Sequence, residues 1–193
     1  LLLLGYEFFQ VLSILLPCSI FINLFQLLNN KNNIDFSFFR SMLIFTVPFI
    51  ILFLYFNKLG LFNINLLVGI FLFFLAFKDS FVKFIPKINY AKGETLYLVI
   101  MGIVHGISNL GGAILTSIIF SKGLSKEKSR ATIAICYLAF ALFQLLTMFL
   151  SGNTDLIFMN ISFVYWILVL STYYLTNKFV FIDLSESNYK SFF

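Results

Sequence analysis

The chain has 193 residues, of which 61% are hydrophobic and 11% charged, and its mean hydropathy is +0.99. Soluble domains carry roughly 25% charged residues, so this composition excludes a water-soluble globular domain. The net charge of +5 is modest and reads as a signal of membrane orientation rather than as a nucleic-acid surface.

A bilayer span needs about 20 mostly apolar residues. The runs 8–30, 41–57 and 156–176 contain no charge, and they lack the alternation of barrel strands. The first predicted helix covers 6–29, the second 40–57, and the third 61–78 after a Lys58-Leu59-Gly60 turn. Pro17 and Pro48 are expected to kink their helices. A polar, basic loop follows over 78–95, where Pro86 and Gly93 oppose any helix. Next come a glycine-rich segment, 96–120, and a basic loop, 121–132. Two more predicted helices, 129–150 and 157–176, flank the turn 151–155, and a mixed tail closes the chain. Cys18 and Cys136 fall within predicted spans without metal-ligand spacing and read as small buried side chains.

The chain repeats itself. LFQLL occurs at 24–28 and again at 142–146, and the same offset of 118 pairs Gly5 with Gly123 and Cys18 with Cys136. Leu and Phe matches come cheaply in such a composition, whereas Gly, Cys and Gln matches in one register do not. An internal duplication is therefore expected.

Basic residues in short loops mark the cytoplasmic side. If the glycine-rich segment crossed the membrane once, the thirteen Lys and Arg would divide six against seven. If it turns at its glycines and returns, twelve lie together and Lys58 alone is opposite. The second arrangement obeys the charge rule. Leu96–Gly106 is eleven residues, about 16 Å as helix and roughly half of a 30 Å core. Three crossings then separate the two repeat copies, so they have opposite orientation, a plan common in secondary transporters. The expected fold is an all-α polytopic membrane protein of inverted-topology repeats with a broken or re-entrant glycine-rich helix.

That segment reads GIVHGISNLGGAILTS over 102–117 and contains the chain's single histidine. Broken backbone is tolerated at membrane depth where it is buried or lines a wet cavity. Gly111 and Gly112 are expected to start the returning half-helix, whose N-terminus attracts an anion. Ser108, Asn109, Thr116 and Ser117 add hydrogen bonds, and His105 donates to an anion or carries a proton. The segment holds no carboxylate, which favours a small oxyanion over a cation. Simple close packing at Gly102, Gly106 and Gly112 is the competing reading, and His105 could equally be a packing residue. Gln26 and Gln144 either bond between helices or line the pathway. Arg130 is an interfacial anchor or draws anions to the cytoplasmic mouth. His105 and Ser108 are i, i+3 neighbours, which makes an intramembrane serine hydrolase the competing enzyme reading. The Gly-x-Ser-x-Gly elbow is missing, and no enzyme is expected. A cation carrier would want acids in mid-span, and the eight Asp and Glu lie near loops or helix ends.

Residues 98–150 resemble the sulfite exporter TauE/SafE family of membrane permeases. The resemblance rests on Gly102, Gly106, the Gly111-Gly112 pair, the apolar run after it, and Arg130-Ala131-Thr132 in the basic loop. Ala113 follows the glycine pair where the family often has proline or a second small residue. The resemblance implies two repeats and the movement of sulfite or organosulfonates by alternating access; another small organic anion is the alternative. It also implies a fragment. Residues 1–85 would be a first repeat lacking its N-terminal glycine motif, and 86–193 a second repeat lacking its last helix. The expected site comprises His105, Ser108, Asn109, Gly111, Gly112 and Thr116, with Gln26, Gln144 and Arg130 along the pathway. The expected partners are a small anionic substrate, the lipid bilayer of the cell membrane and a coupling proton or ion, with no nucleic acid, metal or cofactor. The sequence sets no oligomeric state.

Overall fold

The computed structural model describes residues 5–28, 30–76, 90–153, 155 and 163–181. All regular structure among them is helical. In chain order the α-helices are α1 (Phe8–Leu28), α2 (Phe36–Phe45), α3 (Val47–Lys58), α4 (Ile64–Ala76), α5 (Tyr90–Ser108), α6 (Gly112–Ser121), α7 (Lys126–Leu150) and α8 (Phe163–Thr176). Three described stretches are long and apolar enough to cross a membrane: Phe8–Leu28, the joined α2 and α3 over Phe36–Lys58, and Lys126–Leu150.

Local chemistry sets the helix ends. Asp35 caps α2, its carboxylate accepting from the Phe38 amide at 3.2 Å, so this helix starts four residues before the expected 40. The Ser125 hydroxyl accepts from the Lys128 amide at 3.3 Å and starts α7 at Lys126, inside the basic loop. Both are side-chain oxygens satisfying a free amide of the first turn. The expected kink near Pro48 is a break at Thr46, because Pro48 has no N–H for the Ile44 carbonyl. α1 continues through Pro17. Gly93 has non-helical backbone inside α5 (φ −137°, ψ 24°), so it interrupts the helix without ending it. Pro86, most of the 78–95 loop and residues 157–162 lie outside the described residues.

α1 and α7 pack antiparallel. Leu12 and Leu16 near the start of α1 meet Ala141 and Met148 late in α7. Leu27 at the end of α1 meets Ala134 and Leu138. The two helices begin alike. Gly5 (φ 88°) and Gly123 (φ 64°) each stand three residues before the helix, in a conformation that costs glycine little. Phe8 and Lys126, the two starting residues, are themselves 118 apart.

α3 and α5 run side by side. The Thr46 hydroxyl donates to the Leu98 carbonyl at 2.9 Å, and the Asn57 carboxamide donates to the Ile107 carbonyl at 2.9 Å. Between them, Gly102 and Gly106 lie directly on the α3 backbone. This is the close approach that small residues permit, and in lipid such packing replaces the hydrophobic drive between helices. α5 turns over at 109–111 and α6 returns along α7. Lys122 just past α6 reaches Glu94 early in α5 at 2.8 Å, so the far ends of this helical hairpin meet. Phe38, Met42, Ile50, Met101, Ile118 and Phe140 form the centre of the largest core cluster. Leu52, Leu66, Leu142, Leu146 and Phe149 face outward, exposed, as suits a lipid surface.

The basic end of the molecule is tied together. Gln26 Nε2 donates to the Arg130 carbonyl at 3.0 Å, the Asp35 amide donates to Thr132 Oγ1 at 2.9 Å, and Arg130 donates to Asn177 Oδ1 at 2.8 Å. Lys58 is at the other end, beside Gly152.

Candidate functional site

A cavity of about 410 Å³ opens between α1, the α5–α6 turn, α7 and α8. α1 contributes Ser19, Ile22 and Asn23 to it, the last turn of α5 contributes His105, the following turn contributes Asn109, and α7 contributes Tyr137, Phe140, Ala141 and Gln144. None of its described lining residues is charged.

The polar centre is one buried pair. His105 Nε2 and Gln144 Oε1 are 3.2 Å apart, and the imidazole lies against Phe140 with ring centroids 4.6 Å apart. His105 is 3% exposed and Gln144 fully buried. Each keeps one unpartnered polar atom: Nδ1 of His105 and Nε2 of Gln144. Buried polar atoms are nearly always paired, so two orphans in one bonded pair beside a cavity point to a ligand or water. Asn23 donates to the Ser19 carbonyl at 2.7 Å and to its hydroxyl at 3.1 Å.

Two of the six expected site residues, His105 and Asn109, line the cavity, as does Gln144 from the expected pathway. Asn109 holds the turn in left-handed backbone (φ 60°), which Asn tolerates better than most residues. Ser108 donates to the Val104 carbonyl at 2.8 Å, Thr116 to the Ala113 carbonyl at 3.0 Å and Ser117 to the same oxygen at 2.9 Å. These hydroxyls turn back into their own helices. Ser108 is thus not bonded to His105, and the nucleophile–base contact of a hydrolase is not formed.

The room left by the glycine pair is taken by protein. A Cβ at Gly111 would stand 2.6 Å from the His105 Cβ and 2.7 Å from the Met101 carbonyl oxygen, and one at Gly112 would meet the Tyr137 hydroxyl. These glycines, expected to start a half-helix that attracts an anion, let His105 and Tyr137 close on the turn. Gln26 and Arg130 are bonded together at the basic end and stand apart from this cavity.

Ser19, Asn23 and Tyr137 were not anticipated. A signal existed: the pairs 19/137, 22/140 and 23/141 are each 118 apart, and all six residues line the cavity. Ser19 and Asn23 are also i, i+4 neighbours in an uncharged span.

Apolar helices of spanning length, a lipid-suited surface and a buried polar pair beside a cavity define a membrane protein whose regular structure among the described residues is all helical. The model of the sulfite exporter TauE/SafE family matches residues 1–193, and the chain belongs to this family of membrane transporters. No curated protein and no solved structure matches the chain.

Proposed function

We propose that the chain is the core of a multi-pass cell-membrane permease that moves sulfite or a small organosulfonate by alternating access. The observation that carries this reading is the buried His105–Gln144 pair beside the start of α6, with unpartnered polar atoms next to a cavity. Transporters commonly bind substrate where broken helices end.

The α5–α6 hairpin enters and leaves the membrane on one face. The Lys122–Glu94 contact supports this, as does the gathering of Arg130 and Lys178 with the other basic residues opposite Lys58. Residues 1–85 and 86–193 are inverted repeats. The antiparallel α1 and α7, their matching glycine entries and the cavity positions shared at the 118 offset favour that symmetry. His105, Asn109 and Gln144 contact the substrate. Ser108, Gly111, Gly112 and Thr116 shape the turn and the helix start that face it. Gln26 and Arg130 stand at the basic mouth, where positive charge draws anions in. A coupling proton or ion accompanies transport.

The test is flux in proteoliposomes of the full-length protein, comparing sulfite, a short sulfonate and a short carboxylate. Gln144→Leu is the preferred variant, since a larger residue at Gly111 would collide with His105. Selective flux of sulfite or sulfonate, reduced in the variant, is expected. Carboxylate flux alone would keep the permease and reject the sulfur substrate. No flux in folded protein would reject both.

A further inference from the structure

We infer that the cavity selects the singly charged, protonated form of an oxyacid, an anion carrying both a hydroxyl and a bare oxygen, over a dianion or a fully deprotonated monoanion such as a sulfonate. This rests on the anion-permease reading and narrows its substrate class.

The argument starts from the His105–Gln144 pair. A neutral imidazole carries one proton. If Nε2 donates to Gln144 Oε1, then Nδ1 is a bare acceptor and the Gln144 amide group is an unused donor. If the carboxamide is turned over, it donates to Nε2, leaving Nδ1–H as the donor and Oε1 as the acceptor. Either way the pair offers at least one donor together with a bare acceptor. Three bare oxygens satisfy only the donor and set their lone pairs against the acceptor. An anion with an O–H beside a bare oxygen satisfies both.

Charge points the same way. No Lys, Arg, Asp or Glu is among the described lining residues. An acidic neighbour that would hold an imidazolium at His105 is therefore missing from that lining. The cost of taking an ion out of water rises with the square of its charge. The described lining sets no full positive charge against that cost, which suits one negative charge far better than two.

Two isosteres separate the alternatives. Hydrogen methylphosphonate and methanesulfonate have the same shape and the same single charge, and they differ by one O–H. Binding of each to the purified full-length protein is measured by titration calorimetry, at one pH where the phosphonate is the monoanion, with sulfite as the reference. The phosphonate should bind at least about tenfold tighter, the effect of one buried acceptor gaining or losing its partner. The double variant His105→Phe/Gln144→Leu removes donor and acceptor together and should bring the ratio close to one, and the wild-type ratio stands without that variant. Equal binding, or tighter methanesulfonate, while sulfite still binds would overturn this inference and spare the permease. Binding of none of the three would overturn both.

Discussion

Gly102 of α5 lies against the carbonyl oxygen of Thr46, so close that a Cβ there would come within 2.5 Å of it. One turn later a Cβ at Gly106 would come within 2.8 Å of the Ile50 oxygen. The α3–α5 seam is a backbone-to-backbone contact that side chains at these two positions would force apart.

Gly102→Ala should therefore be costly, at or above the upper end of the roughly 1–3 kcal/mol typical of overpacking. Gly112→Ala should cost less, because it meets the hydroxyl and adjoining ring edge of the Tyr137 side chain rather than backbone. Tyr137→Phe should recover part of the Gly112→Ala loss and none of the Gly102→Ala loss. Thermal unfolding in detergent, followed by circular dichroism, ranks the variants. Equal costs would mean that the seam is looser than described.

Asn57 caps the end of α5 from the neighbouring helix. Its carboxamide donates to the Ile107 carbonyl at 2.9 Å, four residues before Gly111, where the helical ladder has ended. Asn57→Leu should cost about 1 kcal/mol. Asn57→Asp should cost more, because it replaces the donor with oxygens facing a carbonyl. The same unfolding assay decides, and a reversed order would remove the capping role.

The sidedness of the hairpin is open to labelling. Cysteines at Thr95 and Glu127, both exposed, introduced in a background lacking Cys18 and Cys136, should react with an impermeant reagent from one face. A cysteine at exposed Asn65 should react from the other. Labelling of Thr95 and Glu127 positions from opposite faces would replace the re-entrant hairpin with a single crossing.

His105 and Gln144 should be coupled energetically. Gln144→Leu alone leaves the buried imidazole without its partner, a loss of about 1–3 kcal/mol. Adding His105→Phe removes the stranded group, so the double variant should lose less than the sum of the singles by about 1 kcal/mol. Strict additivity in unfolding measurements would show that the 3.2 Å contact contributes nothing.

The amino-acid sequence alone determined the lipid-suited composition, the spans at 8–30 and around 41–57 and 129–150, the break among the glycines and the 118-residue offset. Helix formation and preference for lipid depend on a residue's immediate neighbours and on solvent, and both can be read locally. The tertiary structure decided which side chains meet. α1 is apolar on all sides, so no periodic stripe marks its inner face, and Ser19 and Asn23 could not be assigned to the cavity from their own helix. The glycines carry the same lesson. Their smallness was legible, but whether it admits a ligand, a neighbouring helix or a Tyr137 hydroxyl is set by how distant segments cross, and only the packed fold fixes that.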